Sequence, residues 1–290
     1  MLKLIKRFVG EGVVTNHFPA IIAEPPEGFL GKPVIDFERC TACDKCAESC
    51  PTSAISITAL DAKDGHTASE RILSLDYGNC IFCGECALAC PDAISMTKEF
   101  QLAVTEKEQL VTEARYRNDG NGKFIFVEYL RRSEAENPPS KDVGLKLKEQ
   151  INKLLGRSLH IRQVDAGSCN GCEIEITSLN NPTYDIERFG IHFVASPRHA
   201  DMLLVTGPVT RNMEIALKHT FEATPGPKVV VAVGTCAIGG GVFGTSHASC
   251  GGVDKVLPVD VYIPGCPPRP EALLHGILLA VGRLSQNHRG

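Results

Sequence analysis

The sequence predicts two unlike folds in tandem, a small duplicated α+β domain and then an α/β domain built on a parallel sheet. Two observations carry this expectation. Cys40, Cys43, Cys46, Cys50 and Pro51 return as Cys80, Cys83, Cys86, Cys90 and Pro91 at a constant offset of 40 residues, and Ala54-Ile55 returns as Ala93-Ile94. Beyond residue 158, short β-branched runs alternate with stretches of helical character, the pattern of a parallel sheet covered on both faces. A length of 290 residues suits two domains of about 150 residues, each able to bury a core.

Taken in order, each half of the repeat reads C-x2-C-x2-C-x3-C-P, and the polar segment Asp61 to His66 between the halves has the composition of a turn joining strands. Thr105 to Tyr116 reads as a surface helix. Arg117 to Lys141, with Asp119-Gly120-Asn121-Gly122 and Pro138-Pro139-Ser140, has the strongest linker composition of the chain and marks the expected domain boundary. Strands are expected at Leu159–Val164, Ile191–Val194, Met202–Thr206, Lys228–Val233 and Val259–Ile263, and helices at Thr210–Phe221 and Pro270–Leu284. The last of these is apolar on most sides, which predicts burial rather than a solvent face.

Composition excludes several classes of function. With 43% hydrophobic and 22% charged residues and a net charge of -4, the chain is globular and has no basic surface for general nucleic-acid binding. The longest apolar runs, Val229 to Val233 and Ile277 to Val281, fall far short of the roughly 18 residues of a membrane span. Glu11 interrupts the apolar start and no small-residue cleavage site follows, so a cytoplasmic protein is expected. Thirteen cysteines, an odd number, argue against a secreted disulfide framework and for reduced thiolates that bind metal. Gly234 to Gly244 lacks the phosphate-cradling G-x-x-x-x-G-K-[ST] pattern. His192, His199, His247 and His275 read as surface or structural histidines.

The duplicated motif is that of a two-cluster iron-sulfur protein. Two-residue gaps let three successive thiolates converge on one cluster, and the fourth ligand comes from the other repeat. Cys40, Cys43 and Cys46 would join Cys90, and Cys80, Cys83 and Cys86 would join Cys50. Zinc sites pair two CxxC elements and give no reason for three cysteines in step followed by Cys-Pro. In the C-terminal half, Cys169, Cys172, Cys236 and Cys266 each follow a predicted strand. An open parallel sheet gathers its carboxyl ends at one crevice, so these four are expected to hold a third cluster. Cys250 is left over, with a half-buried structural thiol as its expected role. Glu173 and Glu175, directly after Cys172, are either groups that move protons beside the cluster or helix-start carboxylates facing the positive end of the dipole.

The N-terminal half resembles bacterial two-cluster ferredoxins. More closely, DAGSCNGCEIEI at Asp165 to Ile176, SPRHADMLLVTG at Ser196 to Gly207 and VDVYIPGCPP at Val259 to Pro268 resemble the small subunit of membrane-bound, group 4 nickel-iron hydrogenases of the formate hydrogenlyase type. GKP at Gly31 to Pro33 and CIFCGECALACP at Cys80 to Pro91 are similar to the ferredoxin-type subunit of the same complexes, so the chain reads as a fusion of the two. The pair is related to the complex I proteins that carry its last clusters. Those have a tandem Cys-Cys where Asn170 and Gly171 separate Cys169 from Cys172 here, which favours the hydrogenase branch.

The resemblance implies an α+β two-cluster ferredoxin domain followed by an α/β flavodoxin-like domain with a parallel sheet. The expected limits are an N-terminal extension at 1–30, the ferredoxin-like domain at 31–116, a linker and connecting helix at 117–157 and the hydrogenase small-subunit or complex I-like domain at 158–290. It further implies three 4Fe-4S clusters and no complete catalytic site in this chain. The partners would be a separate large subunit holding the nickel-iron site and other soluble and membrane subunits, with peripheral attachment to the cytoplasmic membrane. Leu2, Leu4, Ile5 and Phe8 against Lys3, Lys6 and Arg7 form an amphipathic start that would dock on a membrane arm or partner, or simply fray. A complex I-like quinone-linked subunit and a free soluble electron carrier are the alternatives.

Overall fold

A computed structural model describes residues 10, 12–18, 24–60, 69–133, 151, 153 and 155–287. The amphipathic start, the polar turn at Asp61 to His66 and the Pro138-Pro139-Ser140 part of the expected linker lie outside them.

In the N-terminal half the two halves of the repeat are laced together at their ends. β1 (Pro33–Ile35) pairs antiparallel with β4 (Ile94–Met96), so the strand preceding the first motif meets the strand following the second. Each motif contains one short helix, α1 (Lys45–Glu48) and α2 (Glu85–Ala89). A four-stranded antiparallel sheet runs in the order β2 (Ile55–Leu60), β3 (Glu70–Asp76), β5 (Val111–Asn118), β6 (Phe124–Arg131).

Two expectations fail here for one reason. The helix expected over Thr105–Tyr116 is a single 3-10 turn, Lys107–Leu110, followed by β5. The helix-favouring Glu106-Lys107-Glu108-Gln109 segment closes a capping box between Glu106 and Gln109. Beyond it, burial alternates with a period of two, Thr112, Ala114 and Tyr116 facing the core. The segment from residue 117 onward, expected as linker, carries the end of β5 and all of β6. Gly120 and Gly122 form the hairpin tip, and Phe126 and Tyr129 pack with Phe37 and Tyr116 at ring separations of 5.0 to 6.2 Å. Sheet pairing and aromatic ring contacts outweigh a glycine- and charge-rich composition.

The C-terminal half is a five-stranded parallel sheet in the order β8 (Ile191–Phe193), β7 (Leu159–Asp165), β9 (Met202–Thr206), β10 (Val229–Val233), β11 (Val261–Ile263). In order of appearance that is 2-1-3-4-5, the flavodoxin-like winding, whose ligand crevice lies outside the carboxyl ends of the strands. Its helices are α3 (Gly171–Ser178), α4 (Arg211–Ala223), α5 (Thr235–Gly239) and α6 (Pro270–Asn287). Every residue of β9 and β10 is buried, as a strand covered on both faces requires, and each valine so enclosed contributes about 1.5–3 kcal/mol. In α6, Leu273, Leu274, Ile277, Leu278 and Val281 are all buried.

The halves are welded, not strung. One continuous core joins Ile35, Leu73 and Leu110 to Val205, Ala232 and Ile238. Val104 forms a two-way backbone bridge with Tyr262 at 3.0 and 2.9 Å, and Lys107 pairs with Asp254 at 2.8 Å.

Candidate metal centres

The duplicated motif folds twice into the same loop. Ala42 and Phe82, at matching positions, take positive φ of 47° and 57°, and each donates its amide to the sulfur two residues before it, Cys40 or Cys80, at 3.4 Å. Asp44 and Gly84, also matched, turn the chain at φ 68° and 81° into α1 and α2, which carry Cys46 and Cys86 on their inner faces.

Cys50 and Cys90, the cysteines expected to cross between the repeats, lie at the ends of these loops. Cys46 stands within electrostatic reach of Cys90, Cys40 and Cys43, and more remotely of Cys86; burial, and then these neighbours, push its thiol up to about 12. Cys80 is likewise raised to about 12, by burial first, with Cys86, Cys50 and Cys83 as its charged neighbours. Cys50, Cys80, Cys83 and Cys86 line one cavity with Pro51, Leu75 and Met96. Burial also pushes Cys50 upward, but the amides of Ile55, Thr52 and Ala54 outweigh it, the last at 3.2 Å, and hold the thiol below its ordinary value.

In the C-terminal half the sheet does the gathering. Cys169 and Cys172 follow β7, Cys236 sits in α5 directly after β10, and Cys266 follows β11. Burial raises Cys172, with Glu173, Cys236, Cys266 and Cys169 adding to the effect, and burial with Cys266 and Cys169 raises Cys236 to about 11. At Gly234, φ is 86° and an added Cβ would lie 2.7 Å from Cys172 Sγ, so only glycine fits between strand end and sulfur.

An all-thiol donor set suits iron-sulfur chemistry. Thiols crowded and desolvated in this way do not ionise together unless a cationic group shares the site, so loading must release protons. Among the described residues no three His, Cys, Asp or Glu side chains converge closely enough to hold one metal ion.

The remaining candidates separate clearly. Cys250 is buried away from these sets, its sulfur 3.4 Å from Glu214 Oε2, and Arg211 and Lys218 pair with the same carboxylate. Glu173 lies in the first turn of α3 and Glu175 at its middle. Glu173 bonds Thr206 and Gln163 and keeps Oε2 buried without a partner, while burial raises the carboxyl of Glu175, opposed by Arg269. His192 is half-buried and pairs with Glu187; His275 is buried in α6, where desolvation lowers it to about 4. Reading the sequence missed Thr235, whose contacts cross between the halves; its position next to Cys236 was the one available signal.

These features define an iron-sulfur subunit of an oxidoreductase complex, with a dicluster domain ahead of a flavodoxin-like one. Residues 39–94 match the 4Fe-4S dicluster domain, and residues 169–280 match the NADH ubiquinone oxidoreductase 20 Kd subunit. The chain is 52% identical over 141 residues to the probable membrane-bound hydrogenase subunit mbhJ of Pyrococcus furiosus, covering 49% of this chain and 84% of that protein. It is 49% identical over 140 residues to formate hydrogenlyase subunit 7 of Escherichia coli, covering 48% of this chain and 55% of the relative. Against an NADH-quinone oxidoreductase subunit of Citrifermentans bemidjiense it is 53% identical over 107 residues, 37% of this chain and 62% of that one. The chain belongs to the family that unites nickel-iron hydrogenase small subunits with the 20 Kd subunit of complex I. Among the described residues no helix is long and apolar enough to cross a membrane.

Proposed function

We propose that this chain is the electron-transfer subunit of a membrane-associated nickel-iron hydrogenase complex of formate hydrogenlyase type, relaying electrons through three 4Fe-4S clusters to or from a separate large subunit. The cysteine neighbourhoods of Cys46, Cys80 and Cys172, each with at least three other thiols within electrostatic reach, support this reading most directly. Cys40, Cys43, Cys46 and Cys90 would hold one cluster, Cys80, Cys83, Cys86 and Cys50 the second, and Cys169, Cys172, Cys236 and Cys266 the third. A bound cluster supplies reversible one-electron transfer, at a potential set by charge, burial and hydrogen bonds to sulfur.

The chain's own residues prepare these sites. The Ala42, Ala54 and Phe82 amides donate to ligand sulfurs and stabilise their negative charge. Exposed Ile174, Val242 and Phe243, near the carboxyl edge of the parallel sheet, suit the seat of the large subunit. A C-terminal domain at 158–290 and a peripheral position on the cytoplasmic face through partner subunits belong to the same proposal.

Purification of the intact complex under anaerobic conditions tests it. We expect about twelve irons in this chain, nickel in a co-purifying large subunit, and hydrogen-dependent dye reduction. A complex I-like quinone-linked subunit is the second reading, favoured by the 20 Kd subunit match; iron without nickel and without hydrogen-dependent reduction selects it. Cys90→Ser is expected to remove the first cluster and Cys236→Ser the third, each leaving the other two spectroscopically intact.

A further inference from the structure

The two repeats are near copies, yet their first cysteines are held differently. In the first repeat the loop is tied within its own domain, the Ala42 carbonyl accepting from Arg71 Nη1 at 2.5 Å and Asp44 pairing with the same guanidinium at 2.8 Å. In the second repeat the tie crosses to the C-terminal half. Thr235 Oγ1 donates to the Cys80 carbonyl at 2.8 Å, with the Gly265 carbonyl 3.2 Å away, and the Thr235 amide donates to that same Gly265 carbonyl at 2.9 Å. Thr235 precedes Cys236 and Gly265 precedes Cys266, so one residue bonds the backbone of one cysteine and the backbone beside two others from the second set.

The surroundings hold this contact in register. Thr235 is 1% exposed, so its hydroxyl has no water to turn to. The turn leading to Cys80 is wedged against α5, with Asn79 occupying the space beside Gly239 and Ile238 that beside Gly78. Asn79 is itself fixed by Asp76 at 2.9 Å. Ile81 and Phe82 line a common cavity with Cys266 and Pro267.

We propose that Thr235 is a positioning residue that sets the separation and the hydrogen-bonded contact between the Cys50, Cys80, Cys83 and Cys86 set and the C-terminal set. The proposal rests on the electron-relay reading above. Electron transfer between two centres weakens steeply with their separation, so a hydroxyl that clamps the backbone of one ligand to the backbone beside two others controls coupling without touching either sulfur.

The test compares Thr235→Val, which keeps the side-chain shape and removes the hydroxyl, with Thr235→Ser, which restores it, in the full chain reconstituted anaerobically. Iron content and the paramagnetic resonance signal of each reduced cluster report whether the relay reading holds. The magnetic interaction between the second and third clusters, and the rate at which they equilibrate after rapid photoreduction, report on Thr235. The expected result is full iron in both variants, weakened interaction and slower equilibration in Thr235→Val, and recovery of both in Thr235→Ser. Wild-type interaction and rate in Thr235→Val, or failure of Thr235→Ser to recover them, overturns the proposal. Should Thr235→Val not load iron, Thr235→Ala, which adds no bulk, takes its place with the same expected outcome.

Discussion

The N-terminal repeat and the C-terminal sheet solve one problem, bringing four thiols together, by different means. In the repeat the work is local: positive-φ positions at Ala42, Asp44, Phe82 and Gly84 and two short helices curl each chain segment around its own site, and in the proposed ligand sets only Cys50 and Cys90 cross over. In the sheet nothing local suffices, since Cys169 and Cys266 meet only because β7 and β11 end at the same edge. A site encoded by loop torsions should survive damage elsewhere, while one encoded by strand order should fail with the sheet.

The largest expected break in this comparison comes from Leu204→Ala. Leu204 is fully buried at the centre of β9, in the core beneath α6, and its truncation should cost about 2–5 kcal/mol. Denaturation followed by iron analysis and resonance spectra should show the C-terminal signal lost first, with the two N-terminal signals persisting; simultaneous loss of all three would show that the welded core makes the halves one cooperative unit.

Acid should sharpen the contrast next. His275 is buried in α6, and desolvation depresses it from 6.5 to about 4. The unfolded chain therefore takes up this proton while the folded chain refuses it. Stability attributable to this group is undiminished above pH 6.5 and falls by about 1 kcal/mol per pH unit between roughly 6.5 and 4. Denaturant midpoints measured from pH 7.5 to 5.5 should fall in the wild type and decline less in His275→Leu; parallel declines would remove His275 from the account.

Smaller still is Lys107→Ala, which breaks the partly buried pair with Asp254 across the two halves, for about 1 kcal/mol or less after solvent screening. Its effect should appear as a lowered midpoint with all clusters retained. Cys250→Ser should leave iron content unchanged, because this thiol sits with Glu214 and apart from the three sets; loss of iron would transfer a ligand role to it.

What could be read in the chain follows the same division. The duplicated spacing, the five C-terminal strands and the buried last helix were all legible because they are short-range patterns: fixed gaps, a β-branched run, an apolar helix face. Thr105–Tyr116 misled because Glu, Lys and Gln favour a helix in isolation, whereas Thr112, Ala114 and Tyr116 found a partner strand. β6 was hidden because the hairpin tip at Gly120 and Gly122 has a linker's composition, and the value of Phe126 and Tyr129 depends on Phe37 lying opposite.

By itself the amino-acid order determined which cysteines share a loop, where strand gives way to helix in the C-terminal half, and that an odd count of thirteen cysteines points to metal chemistry and not to a disulfide framework. Only the tertiary structure decided that the sheet runs 2-1-3-4-5; that Cys172, Cys236 and Cys266 share its carboxyl edge was already expected from the strands they follow. It also decided that the second repeat, not the first, abuts that edge through Thr235. The physical reason is range: spacing and periodicity act over a few residues, whereas the meeting of distant strand ends and the fit of Asn79 against α5 arise from packing that no short window of sequence contains.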